Sequence, residues 1–154
     1  MKPANINTLE TVITAYTNGS CQDKTGSGGW GVYAIANDGT VYEYSGKELN
    51  TTSQRMELHA GIMAITNLPD HSQIQITSNS EYLVNGVNLW LADWKKNDWQ
   101  TASKKPVANN DLWERLDTLN QEGFVTWNWG KGNTKNYGPK TAYALARGAM
   151  RKAA

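Results

Sequence analysis

With Cys21 as its only cysteine among 154 residues, the chain cannot form an internal disulfide, and its fold must rest on a core. No apolar run is long enough to cross a membrane, and none of signal-peptide length stands at the N-terminus. A cytoplasmic protein without membrane contact is expected. The two glycosylation-type tripeptides, Asn18-Gly19-Ser20 and Asn50-Thr51-Thr52, are therefore set aside as chance. Large net charge is missing too, at +1, so composition alone does not announce a nucleic-acid partner. Its distribution is uneven, however: from Lys131 onward there are six Lys or Arg and no acid. Repeats, low-complexity tracts and linkers are absent, which leaves one domain over 1–154 with a core at about 11–150. A chain of this size buries roughly two-thirds of its unfolded surface and needs no metal to hold it together.

What is present reads as alternating strands and helices. Thr11–Thr17 alternates and is rich in Thr, Val, Ile and Tyr, which predicts a strand ending at Asn18-Gly19-Ser20. Gly26-Ser27-Gly28-Gly29 predicts a turn; it lacks the Gly-Lys-Ser/Thr ending of a phosphate loop and leads into a strand, Trp30–Ala36. Asn37-Asp38-Gly39 is a hairpin signal into a third strand, Thr40–Gly46. Thr51 or Thr52 then caps a helix running to about Asn67, whose core stripe is Met56, Ala60, Ile62, Met63, Ala64 and Ile65. Glu57 falls one step beside that stripe, near the core edge. Gln73–Ser78 predicts a fourth strand ending at Asn79, followed by a helix from Ser80 to Asn88. Two strands thus end on an Asn. Between Trp90 and Pro106, Trp90, Trp94 and Trp99 interleave with Lys95, Lys96, Lys104 and Lys105, a pattern suited to gripping a phosphate backbone or to a protrusion with its own aromatic core. Asp111–Leu119 predicts a helix, Phe124–Trp129 a fifth strand, and Pro139–Arg151 a last helix with Ala142, Leu145, Ala146 and Ala149 inward. The sum is an α/β layer fold, a five-stranded mixed sheet flanked by helices.

Read together, Tyr-Thr-Asn18-Gly-Ser-Cys, Gly-Gly-Trp-Gly, Thr-Thr-Ser-Gln-Arg-Met-Glu57-Leu, Thr-Ser-Asn79-Ser-Glu-Tyr, the Trp-Lys-Lys protrusion, Lys-Lys-Pro-Val, Asp-Leu-Trp and Trp-Gly-Lys-Gly resemble type 1 ribonuclease H, in unbroken order over about residues 11–150. The resemblance implies a ribonuclease H-like fold in which the two Asn-ended strands lie side by side. Family members cut the RNA strand of RNA–DNA hybrids with two Mg²⁺ (or Mn²⁺) ions on four carboxylates, helped by a His near the last helix. Carried over residue by residue, Glu57 is the one acid kept. Asn18, Asn79 and Tyr143 stand at the other acid positions, and Asn133 at the His.

Two cations ~4 Å apart repel, and anionic oxygens offset that repulsion. One carboxylate cannot hold the pair, an Asn oxygen carries no charge, and the Tyr143 phenol stays protonated near neutral pH while its ring takes room. No bound metal is therefore expected, and the pocket should be filled or hydrogen-bonded. Asp→Asn is also a common way to trap a substrate complex, but Tyr143 and Asn133 are uneconomical choices for that. Of the family's binding surface, Thr52 and Asn109 match a DNA-phosphate pocket, where Asn50 replaces an Arg. Ser53, Gln54 and Lys24 replace minor-groove Asn residues with other hydrogen-bonding groups, and Glu81 replaces a Gln with a charge that a nearby phosphate would repel. Three functions follow: a non-catalytic binder of RNA–DNA hybrid or duplex, a pseudoenzyme that meets a protein partner, and a nuclease with an unusual site. His59 and His71 are expected to be surface or capping residues.

Overall fold

Alternating Val12 to Thr17 forms a strand as expected, but β1 runs over Thr11–Cys21, through the Asn-Gly-Ser predicted to end it. The reason is non-local. Asn18 pairs with Gly31, Gly19 with Trp30 and Cys21 with Gly28, so an antiparallel neighbour satisfies the backbone of the whole stretch. The computed structural model describes residues 11–22, 24–120, 124–130 and 136–152. Its remaining elements are β2 (Gly28–Ala36), β3 (Val41–Glu48), α1 (Ser53–Asn67), β4 (Ser72–Ser78), α2 (Glu81–Asn85), α3 (Leu91–Lys96), α4 (Asn110–Asn120), β5 (Val125–Trp129) and α5 (Tyr137–Arg151). Gly28 and Gly29 belong to β2, leaving the turn to Lys24 and Thr25, followed by Gly26 at φ 68°. The β2–β3 hairpin closes as its sequence predicts, with Gly39 at φ 92° and its N–H donating to Ala36.

The five strands form one mixed sheet in the order β3-β2-β1-β4-β5, antiparallel across β3, β2 and β1 and parallel across β1, β4 and β5. The two Asn-ended segments are therefore neighbours. The parallel ladder stops at Thr17 opposite Ser78, immediately before Asn18 and Asn79. Such places at the carboxyl ends of parallel strands, where a sheet changes direction, are where open α/β folds set their ligands.

Helices cover both faces. α1 packs on β1 and β2 with α2 and α4 at its back, and α5 crosses β1, β2 and β3. The Thr52 hydroxyl caps α1, accepting from Arg55 N–H at 3.1 Å. Enclosure from several sides widens the buried stripe of α1 beyond the six residues its periodicity suggests: Leu58 and Gly61 are buried too, while Met63 is half-exposed. Complete burial of a side chain such as Leu58 contributes about 1.5–3 kcal/mol. α5 turns Gly138, Ala142, Ala146, Ala149 and Met150 inward, with Leu145 only partly covered. Pro139 sits in its first turn, where a missing N–H costs no helical bond.

The helix predicted over Ser80 to Asn88 is longer and interrupted. Ser80 caps α2, its Oγ accepting from Leu83 N–H at 3.1 Å; a π-helical turn, Gly86–Trp90, then joins α2 to α3. Gly86 begins that turn because the Trp113 ring occupies the space a side chain would take: an added Cβ would lie 2.0 Å from it.

Candidate functional site

The end of the parallel ladder gathers several of the singled-out residues. Asn18 is buried, at 8% exposure, and its Oδ1 accepts from the Ser20 hydroxyl at 3.3 Å. Gly19 lets β1 touch α1 directly. A Cβ on Gly19 would fall 2.3 Å from the Glu57 nitrogen and 2.4 Å from the Met56 carbonyl carbon. At β4, Ser78 Oγ accepts from Ser80 N–H at 3.0 Å, and the Ser80 hydroxyl bonds to the Glu57 side chain. The Glu57 backbone thus lies against β1, while its side chain faces Ser80 just past the end of β4. Burial raises its carboxyl above the ordinary range, and the Ser80 hydrogen bond opposes that rise only in part. Asn79 exposes its side chain while its carbonyl accepts from Trp129 Nε1 at 3.2 Å.

Tyr143 comes from the opposite layer. Gly31, the β-partner of Asn18, lies so close to α5 that a Cβ there would meet Ala142 O at 2.5 Å and Ala146 N at 2.7 Å. The ring does not fill a pocket, as the sequence led one to expect: Tyr143 is 39% exposed, with the Arg147 guanidinium 5.4 Å from its centroid. Asn133 lies outside the described residues. Among the described residues, no group of three or more His, Cys, Asp or Glu side chains is placed to hold a metal ion.

A second cluster flanks the first. Arg55 forms a two-pronged ion pair with Asp111, at 3.0 and 2.8 Å, and also donates to Asn109 Oδ1 at 3.3 Å. That pairing holds the Asp111 carboxyl below its usual range. Asn109, at φ 58°, donates in turn to the Tyr82 hydroxyl at 3.0 Å, which also accepts from Trp113 Nε1 at 3.1 Å. Thr52 is thereby placed three residues from the anchor of Asn109, and exposed Ser53 and Gln54 begin α1 between them. Lys24 and Glu81 are exposed.

Of the two forms expected for the protrusion, the aromatic core is the one present. Trp90 and Trp94 do not lie beneath lysine stems in the manner of exposed platforms; they pack with Tyr82 and Trp113 at ring separations of 5.2 to 6.3 Å. Trp113 supplies a fully buried centre that draws them in. Trp99, at φ 59°, packs partly against the core and its backbone closes a small loop by bonding to Trp94 O and Val107 N–H. Lys95, Lys96, Lys104 and Lys105 are exposed, Lys95 pairing with Asp117 at 3.3 Å. His59 is half-buried against the edge of Trp30 and 3.8 Å from Glu48, more enclosed than a surface residue, whereas His71 is exposed in a turn. Sequence reasoning missed Ser80, Tyr82, Trp129 and the organising part of Arg55. Their signal is spatial: each acts on a residue more than 20 positions away.

Gly19→Ala is expected to destabilise the protein by about 1–3 kcal/mol or more, since the clash is with backbone that cannot swing aside. Equilibrium unfolding checks it against Gly148→Ala, where an added Cβ meets nothing within 4 Å and the exposed helix should gain up to about 1 kcal/mol.

A five-stranded mixed sheet in this order, with α1 on one face, α5 on the other and a polar site where the parallel ladder ends, defines the ribonuclease H-like class of α/β proteins. The chain belongs to the RNase H family, whose family model matches residues 10–151. It is 45% identical over 143 residues to the ribonuclease H of Francisella philomiragia subsp. philomiragia, covering 93% of each chain. Among solved structures it is similar to LC9-RNase H1, a type 1 RNase H with the type 2 active-site motif, at TM-score 0.77 and 25% identity over 90% of this chain and 72% of that one. The foamy viral protease-reverse transcriptase in complex with an RNA/DNA hybrid shares the fold, at TM-score 0.75 and 19% identity over 98% of this chain and 21% of that one.

Proposed function

We propose that this protein binds a nucleic-acid duplex, an RNA–DNA hybrid among them, without cutting it. The observation that carries this reading is the donor set at the end of the parallel ladder. Glu57 is its one carboxylate, held by Ser80 in an environment that disfavours its charge, and Asn18, Asn79 and Tyr143 complete the four family positions with neutral groups. That set does not fit a pair of Mg²⁺ ions, which prefer carboxylate oxygens and give up water reluctantly. A site without the ions has nothing to activate water or to stabilise a leaving oxygen.

Retention of binding parts favours a duplex ligand over a protein partner. Thr52 and Asn109 keep the family's phosphate pocket, and Asn109 is locked in place by Arg55 and Tyr82. Lys95, Lys96, Lys104 and Lys105 stand on a protrusion stiffened by Trp90, Trp94 and Trp99, while Ser53, Gln54 and Lys24 offer hydrogen bonds toward the minor groove. Phosphate contacts make affinity fall steeply with salt, by roughly 0.9 in log K per log salt for each phosphate neutralised. Anisotropy titrations of hybrid, double-stranded DNA and double-stranded RNA over a salt series are expected to give such a slope, with no cleavage in Mg²⁺ or Mn²⁺. Absence of binding at low salt would instead favour a protein-interaction module.

A second reading rests on the relatives, named ribonuclease H at 45% identity. On that reading a weak hybrid-cutting activity persists. Cleavage of a labelled hybrid by the unaltered protein would establish it.

A further inference from the structure

α5 carries a second pattern beside its buried one. Lys140, Tyr143, Arg147 and Arg151 follow at spacings of three, four and four, which places them along one stripe of the helix, half-exposed or exposed throughout. The stripe is about 16 Å long at the usual helical rise. Its charge is of one sign, and no acid occurs anywhere from residue 131 onward. Its only ring, Tyr143, is the residue nearest the site: the turn that bears it rests on Gly31, opposite Asn18. Arg147 lies over that ring at 5.4 Å, so the aromatic face and the guanidinium form one unit.

We propose that this stripe is a strand-binding edge by which the protein holds the sugar–phosphate backbone of a duplex directly, with the Tyr143 ring against a sugar and Arg147 on the adjoining phosphate, and no metal ion between. The inference rests on the duplex-binding reading above and adds where and how the strand is held. An acid at position 143 would meet a phosphate only through a cation. A tyrosine backed by an arginine meets it without one. The partner is therefore a polyanion with regularly spaced phosphates and flat, apolar sugar faces, which a nucleic-acid strand supplies and an acidic protein surface does not. Mg²⁺ then acts only as a competing counterion.

The test is anisotropy binding of a short RNA–DNA hybrid by the whole protein in EDTA and in millimolar Mg²⁺, across a salt series. Affinity is expected to be equal or higher in EDTA. Arg147→Ala should weaken binding several-fold and lower the salt slope by about 0.9, the value for one phosphate contact on a duplex, while Arg147→Lys should keep the slope. Tyr143→Ala should weaken binding several-fold, and Tyr143→Phe should not, because the ring and not the hydroxyl makes the contact. Thermal unfolding of each variant confirms that the fold is kept. Affinity that rises with Mg²⁺ overturns the proposal. So does unchanged binding by Arg147→Ala and Tyr143→Ala when Lys95→Ala with Lys96→Ala weakens it, a result that leaves duplex binding intact and moves it to the protrusion. Failure of the unaltered protein to bind hybrid at any salt concentration overturns both this and the reading on which it rests.

Discussion

Asn18→Asp, Asn79→Asp and Tyr143→Asp introduced together are expected to yield a metal-dependent nuclease acting on RNA–DNA hybrids. The Glu57 backbone lies against Gly19 and its side chain bonds to Ser80, the residues that directly follow Asn18 and Asn79. New carboxylates at both Asn positions would join Glu57 where the parallel ladder of β1 and β4 ends. Tyr143 is exposed enough for its replacement to leave the core untouched. Each single reversion should do little, because two ions require the whole anionic cluster and groups that act as a unit are strongly non-additive. The triple variant should exceed every single one by at least about a hundredfold in initial rate with Mg²⁺ or Mn²⁺. Asn133→His should add less than the acids do, as a group that assists turnover. Should the triple variant fold, bind hybrid and stay inert, the surface around Ser53, Gln54 and Glu81 has departed from a cutting geometry as well.

Trp113→Ala should be the most damaging single truncation, costing about 3–5 kcal/mol as large aromatic deletions do. Trp113 is fully buried, fills the space above Gly86, packs on Tyr82 and Trp94, and donates to the Tyr82 hydroxyl. Loss of the ring would also release Tyr82 from one of its two donors, loosening the support of Asn109. Denaturant unfolding measures the first effect, and duplex affinity of the surviving folded fraction the second. Trp113→Phe, which keeps much of the volume and loses the N–H, should cost less. A loss below about 1 kcal/mol for the alanine variant, typical of an ordinary substitution, would contradict the central place given to this ring.

The legibility of this chain follows the range of the interactions involved. Thr52 as a cap, the Asn37-Asp38-Gly39 hairpin and the period of α5 are local, and a short window of sequence contains everything that determines them. The match of two Asn-ended strands, together with the family motifs, conveyed the adjacency of β1 and β4. Where a partner lies far along the chain, sequence reading stops short. β1 extends through Asn18-Gly19-Ser20 only because Gly28–Gly31 comes alongside it. Leu58 is buried on a helix whose back is covered by α2 and α4. Trp90 and Trp94, surrounded by lysines in the sequence, face inward because Trp113 and Tyr82 arrive from elsewhere to receive them. At the candidate site, the identities at positions 18, 57, 79 and 143 could be read directly, whereas the Ser80 bond and the Trp129 prop exist only in three dimensions.

The π-helical turn Gly86–Trp90 makes the aim of the protrusion a matter of counting. An α-helix turns about 100° per residue, and a π turn takes up one residue more than an α turn before the chain resumes its course. Everything beyond Trp90 is thereby rotated relative to α2 by about that angle. Removing any one residue from this turn would leave hydrophobicity and charge nearly as they are, yet would swing Trp94 away from Trp113 and carry Lys95 and Lys96 to another quadrant. Side chains there can be exchanged with moderate consequence, but the number of them cannot. The direction in which the lysines face is stored as a length.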